Sequence, residues 1–183
     1  MIGIFIGSFN PFTKAHLDIC KKLKKRFNKI VLVPVNSNDK YLISLKERIN
    51  MLNILKNKYS FLEISNIMEK YSYLNYRIID ILRNKYQNIN LIMGSDLLEK
   101  FSYFDNYEYL LQEYSFTIIP RGNINIKKIV NEKYSMYQDK FTILKFQSDI
   151  SSSLVRNKIK SDEDVTSVLD KDVFDYIKKH HLY

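Results

Sequence analysis

The stretch Ile2-Gly3-Ile4-Phe5-Ile6-Gly7-Ser8-Phe9-Asn10-Pro11-Phe12-Thr13-Lys14-Ala15-His16 decides how this chain is read. An apolar run of strand length ends in a glycine–serine turn, and a helical period then takes over, with Leu17, Cys20, Leu23 and Phe27 on one stripe. The same alternation recurs along the chain. Ile30–Val35, Phe61–Ser65, Ile89–Met93, Ser115–Pro120 and Phe141–Phe146 read as further strands, several of them almost continuously apolar, as in a parallel sheet covered on both faces. Between them lie the stripes Leu45, Ile49, Leu52, Leu55 and Leu74, Ile78, Ile81, Leu82, and near the end Val165, Leu169, Val173, Ile177. Ser44 with Glu47 three residues on has the pattern of a capping box. Strand–helix alternation with short connections predicts an α/β fold, a Rossmann-like doubly wound and mostly parallel sheet with helices on both faces. Residues 1–183 read as one domain, with a small helical part from about residue 151.

Composition excludes several classes. With 183 residues, 45% hydrophobic and 27% charged, the chain has the balance of an ordinary globular protein. Ile2–Ile6 is too short for a signal peptide and lacks a cationic leader. No apolar run approaches the roughly 20 residues that cross a bilayer. Cys20 is the only cysteine, so no internal disulfide forms, and a reducing, cytoplasmic setting is expected. The net charge of +9 raises the question of a polyanionic partner. Lys21, Lys22, Lys24 and Lys25 surround a helix instead of lining one face of it. Most of the charge is therefore read as solvated surface, with no nucleic acid or membrane implied.

In a doubly wound sheet, ligands bind at the carboxyl ends of the strands, where the strand order reverses. Gly7 and Ser8 sit at such an end, and His16 falls at the start of the helix beyond, where free N–H groups and the dipole favour an anion. After the sixth strand, Ile150-Ser151-Ser152-Ser153-Leu154-Val155-Arg156 supplies a second serine-capped helix start, with Arg156 one turn further on. Taken singly, His16 reads first as a histidine capping or packed at a helix start, and Ser151–Arg156 equally as a capped helix carrying a surface arginine.

Together the two segments resemble the nucleotidyltransferase superfamily of HxGH type. Thr13-Lys14-Ala15-His16 stands for its first motif, with Thr13 in place of the first histidine, Ala15 in place of the glycine and Asn10 where Asp is common. Ile150-Ser151-Ser152-Ser153-x-Val155-Arg156 stands for its second. Gly94-Ser95-Asp96 with the aromatics Phe101, Phe104 and Tyr107, Arg121-Gly122, and the ending Val173–Tyr183 resemble the nicotinate-nucleotide adenylyltransferases within that superfamily. Phe104 stands where that family has Trp, and over Tyr71–Leu82 Tyr-x-x-Tyr-Arg replaces its Ser-Tyr-Thr signature. The resemblance implies adenylyl transfer from ATP to nicotinate mononucleotide, with Mg2+ carried on ATP and no protein metal cluster. It implies catalytic roles for His16 and Arg156. It puts ATP against Gly7, Ser8, Phe9, Thr13, Lys40, Gly94, Asp96, Ile150, Ser151 and Ser152, and the acceptor against Phe104 and Arg121. Asp96 would accept from a ribose hydroxyl, and Phe104 would stack on the pyridine ring. Pantetheine-phosphate and nicotinamide-nucleotide adenylyltransferases stay open as alternatives, as does an inactive nucleotide-binding or RNA-binding module. The sequence also admits a homo-oligomer.

Overall fold

The computed structural model describes residues 1–37 and 40–183. Its elements run β1 (Ile2–Gly7), α1 (Lys14–Leu23), β2 (Lys29–Pro34), α2 (Leu45–Lys58), β3 (Leu62–Ile64), α3 (Tyr76–Tyr86), β4 (Ile89–Gly94), α4 (Ser95–Glu99), α5 (Tyr107–Glu113), β5 (Ser115–Ile119), α6 (Ile126–Lys133), β6 (Phe141–Ile143), α7 (Ser152–Lys160) and α8 (Lys171–Lys179). The six strands form one sheet in the order β3-β2-β1-β4-β5-β6, parallel at every pairing. Strand order reverses between β1 and β4, so their carboxyl ends, at Gly7 and Gly94, flank the crevice expected to bind ligand.

The apolar runs form central strands because both faces of the sheet are covered. Along β1 the side chains alternate between two cores. Phe5 joins Phe27, Leu32, Ile92, Leu17 and Val173 on the side of α1, α2 and α8. Ile4 and Ile6 join Val33, Met93, Ile78, Leu110 and Val130 on the side of α3, α5 and α6. Val155, Val165, Leu169 and Ile177, from the helical part beyond residue 151, pack into the first of these cores.

Three details depart from the sequence reading. Helix α3 begins at Tyr76, capped by the Asn75 side chain, so Leu74 lies ahead of it; Ile81, expected in the core, is 43% exposed. Val165 and Leu169 reach the core from the turn before α8, whose cap is Asp170. Only half of the capping box at Ser44 forms. Glu47 N–H donates to Ser44 Oγ at 3.2 Å, while the Glu47 carboxylate accepts from the Tyr176 hydroxyl on α8 at 2.7 Å. The lysine cluster meets its reading: Lys21, Lys22 and Lys24 lie exposed at the end of α1 and cover the rings of Tyr59, Phe146 and Phe61. Among the described residues no helix is long and apolar enough to cross a membrane.

The largest buried side chain is one the sequence did not single out, Arg48 on α2. Its Nη1 donates to the carbonyls of Ser8 and Val35, both at 2.8 Å; Nη2 donates to Asn36 Oδ1 at 2.8 Å and Nε to the Ile43 carbonyl at 3.2 Å. Desolvation lowers its pKa, and these oxygens compensate the charge in place of a carboxylate. The result ties the loop after β1 to the loop after β2. Arg48→Met keeps the apolar stem but strands three carbonyls, and should lower stability by about 3 kcal/mol in urea unfolding. An unchanged midpoint would show that these loops need no such tie.

Candidate active site

At the carboxyl end of the sheet lies a cleft of about 580 Å³. Ala15, His16 and Ile19 on α1 form one side of it, and Ile150–Ser153 with Arg156 at the start of α7 form the other. Ser8 after β1, Ile119–Gly122 after β5 and Phe146–Ser148 after β6 complete the lining. The two motifs at opposite ends of the sequence thus share one cavity. Direct bonds join them as well: Arg156 Nη1 donates to the Asn10 carbonyl at 2.8 Å, and Ser152 Oγ donates to the Pro11 carbonyl at 2.9 Å.

His16 is 8% exposed, at the third position of α1. Its Nδ1 accepts the Thr13 backbone N–H at 3.0 Å, with Thr13 Oγ1 at 2.9 Å. Because Nδ1 is an acceptor, the proton of the neutral ring sits on Nε2, leaving that nitrogen as a donor. The rings of Phe9, Phe12 and Phe5 surround the imidazole at centroid distances of 5.5, 5.2 and 6.2 Å. Burial among them, with a further contribution from the positive charge of Arg121, lowers the pKa of His16 to about 3. The histidine is a neutral hydrogen-bond donor and does not act as a charged imidazolium at neutral pH.

The surroundings of the other site candidates are equally specific. Thr13 is 1% exposed and spends its polar groups on orienting His16, instead of lining the cleft. Phe9, also buried, packs against His16 edge to face. The left-handed backbone of the glycine loop falls at Phe9, with φ of 48°. Gly7 is required for another reason: a Cβ there would come within 2.9 Å of the Phe9 ring. Arg156, expected to reach out to a triphosphate, is 6% exposed and already bonded to Asn10 and to Ser153 Oγ; it faces the cleft from within the wall. Ser151 caps α7 by accepting the Leu154 N–H at 3.1 Å. The N–H groups of Ser152 and Ser153 then lack an intrahelical carbonyl, as at every helix start.

Gly94, Ser95, Asp96 and Arg121 form a connected group beside the cleft. Ser95 Oγ, wholly buried, accepts the Arg121 N–H at 2.9 Å, and the Arg121 guanidinium lies 3.7 Å from the exposed Asp96 carboxylate. A Cβ on Gly94 would collide with both Asp96 and Arg121. Arg121, assigned to the acceptor from sequence, lines the same cleft as His16 and α7. Lys40 and Phe104 do not line it. Lys40 lies over the Tyr41 ring at 4.9 Å, and half-buried Phe104 stacks on Phe101 at 5.9 Å. Sequence reasoning missed Phe146, Gln147 and Ser148, which enter the lining from the loop after β6. It also missed the buried Asn10 as a joint between loops. Among the described residues no group of three or more His, Cys, Asp or Glu side chains could hold a metal ion.

A doubly wound sheet with two anion-ready helix starts across one cleft is the arrangement of a nucleotidyltransferase. Residues 4–158 match the model of the cytidylyltransferase-like family, to which this chain belongs. Its relatives narrow the class. It is 31% identical over 200 residues, covering all of this chain and 98% of the other, to the probable nicotinate-nucleotide adenylyltransferase of Endomicrobium trichonymphae. It is 29% identical to that of Acholeplasma laidlawii, over all of this chain and 97% of the other. Among solved structures, the Plasmodium falciparum nicotinic acid mononucleotide adenylyltransferase complexed with NaAD superposes with a TM-score of 0.78 at 26% identity, covering 100% and 96% of the two chains.

The low pKa of His16 has a definite sign. Between pH 6.5 and about 3 the unfolded chain takes up a proton on this ring and the folded chain does not, so folding stability falls as pH drops through that window. His16→Gln should flatten this part of the stability–pH curve, and in the wild type the His16 ring NMR signals should stay unshifted from pH 8 to pH 5. An inflection of those signals near pH 6.5 would mean the ring is solvated.

Proposed function

We propose that this chain catalyses adenylyl transfer from ATP to nicotinate mononucleotide, giving nicotinate adenine dinucleotide and pyrophosphate, with residues 1–183 acting as one catalytic domain. The observation that carries the site reading is the placement of a neutral His16 donor opposite the start of α7 in one cleft. The family kinship and the relatives' names support the reaction, and the lone buried Cys20 fits a cytoplasmic enzyme.

The acceptor's 5′-phosphate is already ionised and attacks the α-phosphorus of ATP in line, expelling pyrophosphate. No general base or covalent enzyme intermediate is needed; catalysis comes from positioning and from neutralising charge as it develops. His16 Nε2–H donates to the transferring phosphate. The N–H groups at the start of α7 and the Arg156 guanidinium hold the phosphate chain from the facing wall, and Arg121 adds positive charge beside the transferring group. Gly7, Phe9 and Thr13 serve ATP indirectly, by holding His16 and Ser8 in place. Lys40 would serve the phosphate tail, and Asp96, beside the cleft-lining Arg121, would accept from a ribose hydroxyl. Phe104, backed by Phe101, offers a flat surface to the acceptor's pyridine ring.

Among the described residues, the cleft lining has serine hydroxyls and the Gln147 amide but no carboxylate. That donor set fits a magnesium ion that arrives on the nucleotide, bound chiefly by phosphate oxygens, and does not fit a dedicated protein site. When bound, the ion would screen the phosphate charges.

The test is pyrophosphate release from the purified protein with ATP and magnesium, with nicotinate mononucleotide, nicotinamide mononucleotide and 4′-phosphopantetheine compared side by side. The first should be preferred, and a preference for phosphopantetheine would sink the acceptor assignment. His16→Ala should lower kcat by about 100-fold or more with an unchanged circular dichroism spectrum. Near-normal turnover in that variant would remove His16 from the mechanism.

A further inference from the structure

Asn10, in the loop after β1, is 0% exposed, and three partners engage its side chain. Nδ2 donates to the Tyr41 carbonyl at 3.0 Å. Oδ1 accepts the Ile43 N–H at 3.4 Å and the Tyr183 hydroxyl at 2.8 Å. The backbone partners decide which end of the carboxamide is oxygen, since a flipped amide would set its oxygen against the Tyr41 carbonyl and its NH2 group against the Ile43 N–H. Of the two bonds to Oδ1, that from Tyr183 is the shorter by 0.6 Å and the one of normal length. The backbone carbonyl of the same residue accepts Arg156 Nη1 at 2.8 Å. The Tyr183 ring, partly buried, packs against the first core.

We propose that Tyr183 is a positioning residue of the transfer site. Its hydroxyl, acting through the Asn10 carboxamide, orients the carbonyl that receives Arg156 and anchors the segment Tyr41–Ile43. This rests on the reading of the cleft as the ATP site. Tyr183 itself touches no substrate. Its effect falls on ATP and not on the acceptor, because the partners of Asn10 belong to α7 and to the loop after β2. None belongs to the Gly94–Asp96 group or to Phe104.

The experiment is Tyr183→Phe, which keeps the ring and removes one oxygen, followed by steady-state kinetics with each substrate varied in turn. We expect kcat/KM for ATP to fall about fivefold, the scale of one lost hydrogen bond, with the acceptor KM within about twofold of wild type. Tyr176→Phe is the control. It removes a hydroxyl that bonds Glu47 at 2.7 Å and Asn50 at 2.9 Å from the neighbouring α8, and should lower the melting temperature without altering ATP kinetics. In an Arg156→Lys background, Tyr183→Phe should cause little further loss, because both changes act on the same joint. Wild-type ATP kinetics in Tyr183→Phe, an equal effect in Tyr176→Phe, or fully additive losses in the double variant would each overturn the inference. ATP binding by calorimetry separates this from the underlying reading. If the wild type neither binds ATP nor turns over, both fall; if it does both and Tyr183→Phe is unaffected, only the role of Tyr183 falls.

Discussion

The site depends on two hydrogen bonds that reach across almost the whole sequence, from Arg156 to the Asn10 carbonyl and from Ser152 to the Pro11 carbonyl. Each contributes only about 1–3 kcal/mol to stability, too little to account for the fold. Their importance is geometric. The starts of α1 and α7 are carried on opposite sides of the β1/β4 reversal, and without a direct joint their separation would vary with every breathing motion of the intervening loops. Transfer between two anions is sensitive to such variation, because the rate gain comes from holding reacting groups in line at contact distance.

Charge in the cleft follows from the same construction. Arg156, Arg121 and the buried Arg48 behind Ser8 supply positive potential, while His16 is kept neutral by burial and by Arg121. Arg48 is held by backbone carbonyls and the Asn36 amide oxygen, and Arg121 faces one exposed carboxylate, that of Asp96. On the function proposed above, a phosphate in the cleft would meet Arg121, Arg156 and a histidine that shares a proton without carrying charge of its own.

Much of the fold was legible because burial on both faces makes parallel strands continuously apolar. The six runs from Ile2–Ile6 to Phe141–Phe146 all contain strands. The edge strands β3 and β6 are shorter than their apolar runs, because each pairs on one side only. Ile81 was misread because helical period cannot say how wide a face the neighbouring element covers. At the site, Ser8, His16, Ser151, Ser152 and Arg156 were legible from the strand-to-helix context of each motif. Thr13 and Phe9 were identified, but their contacts with the imidazole come only from tertiary packing and had no signal in the sequence. Arg48 gave no signal: an arginine beside a leucine stripe looks solvated until the loops that enclose it are in place. Gln147 and Ser148 sit in a polar stretch with no pattern to mark them.

The joint between the ends of the chain also sets an order in time. Asn10 and Pro11 emerge early in synthesis, but the groups that bind them lie 146 and 141 residues later. A nascent chain that has completed β1 through β5 can pair those strands and form much of its second core, yet it has no facing wall for a nucleotide. Long-range contacts of this kind form late, after shorter loops have closed. On the function proposed above, the growing polypeptide has no complete nucleotide site until α7 docks.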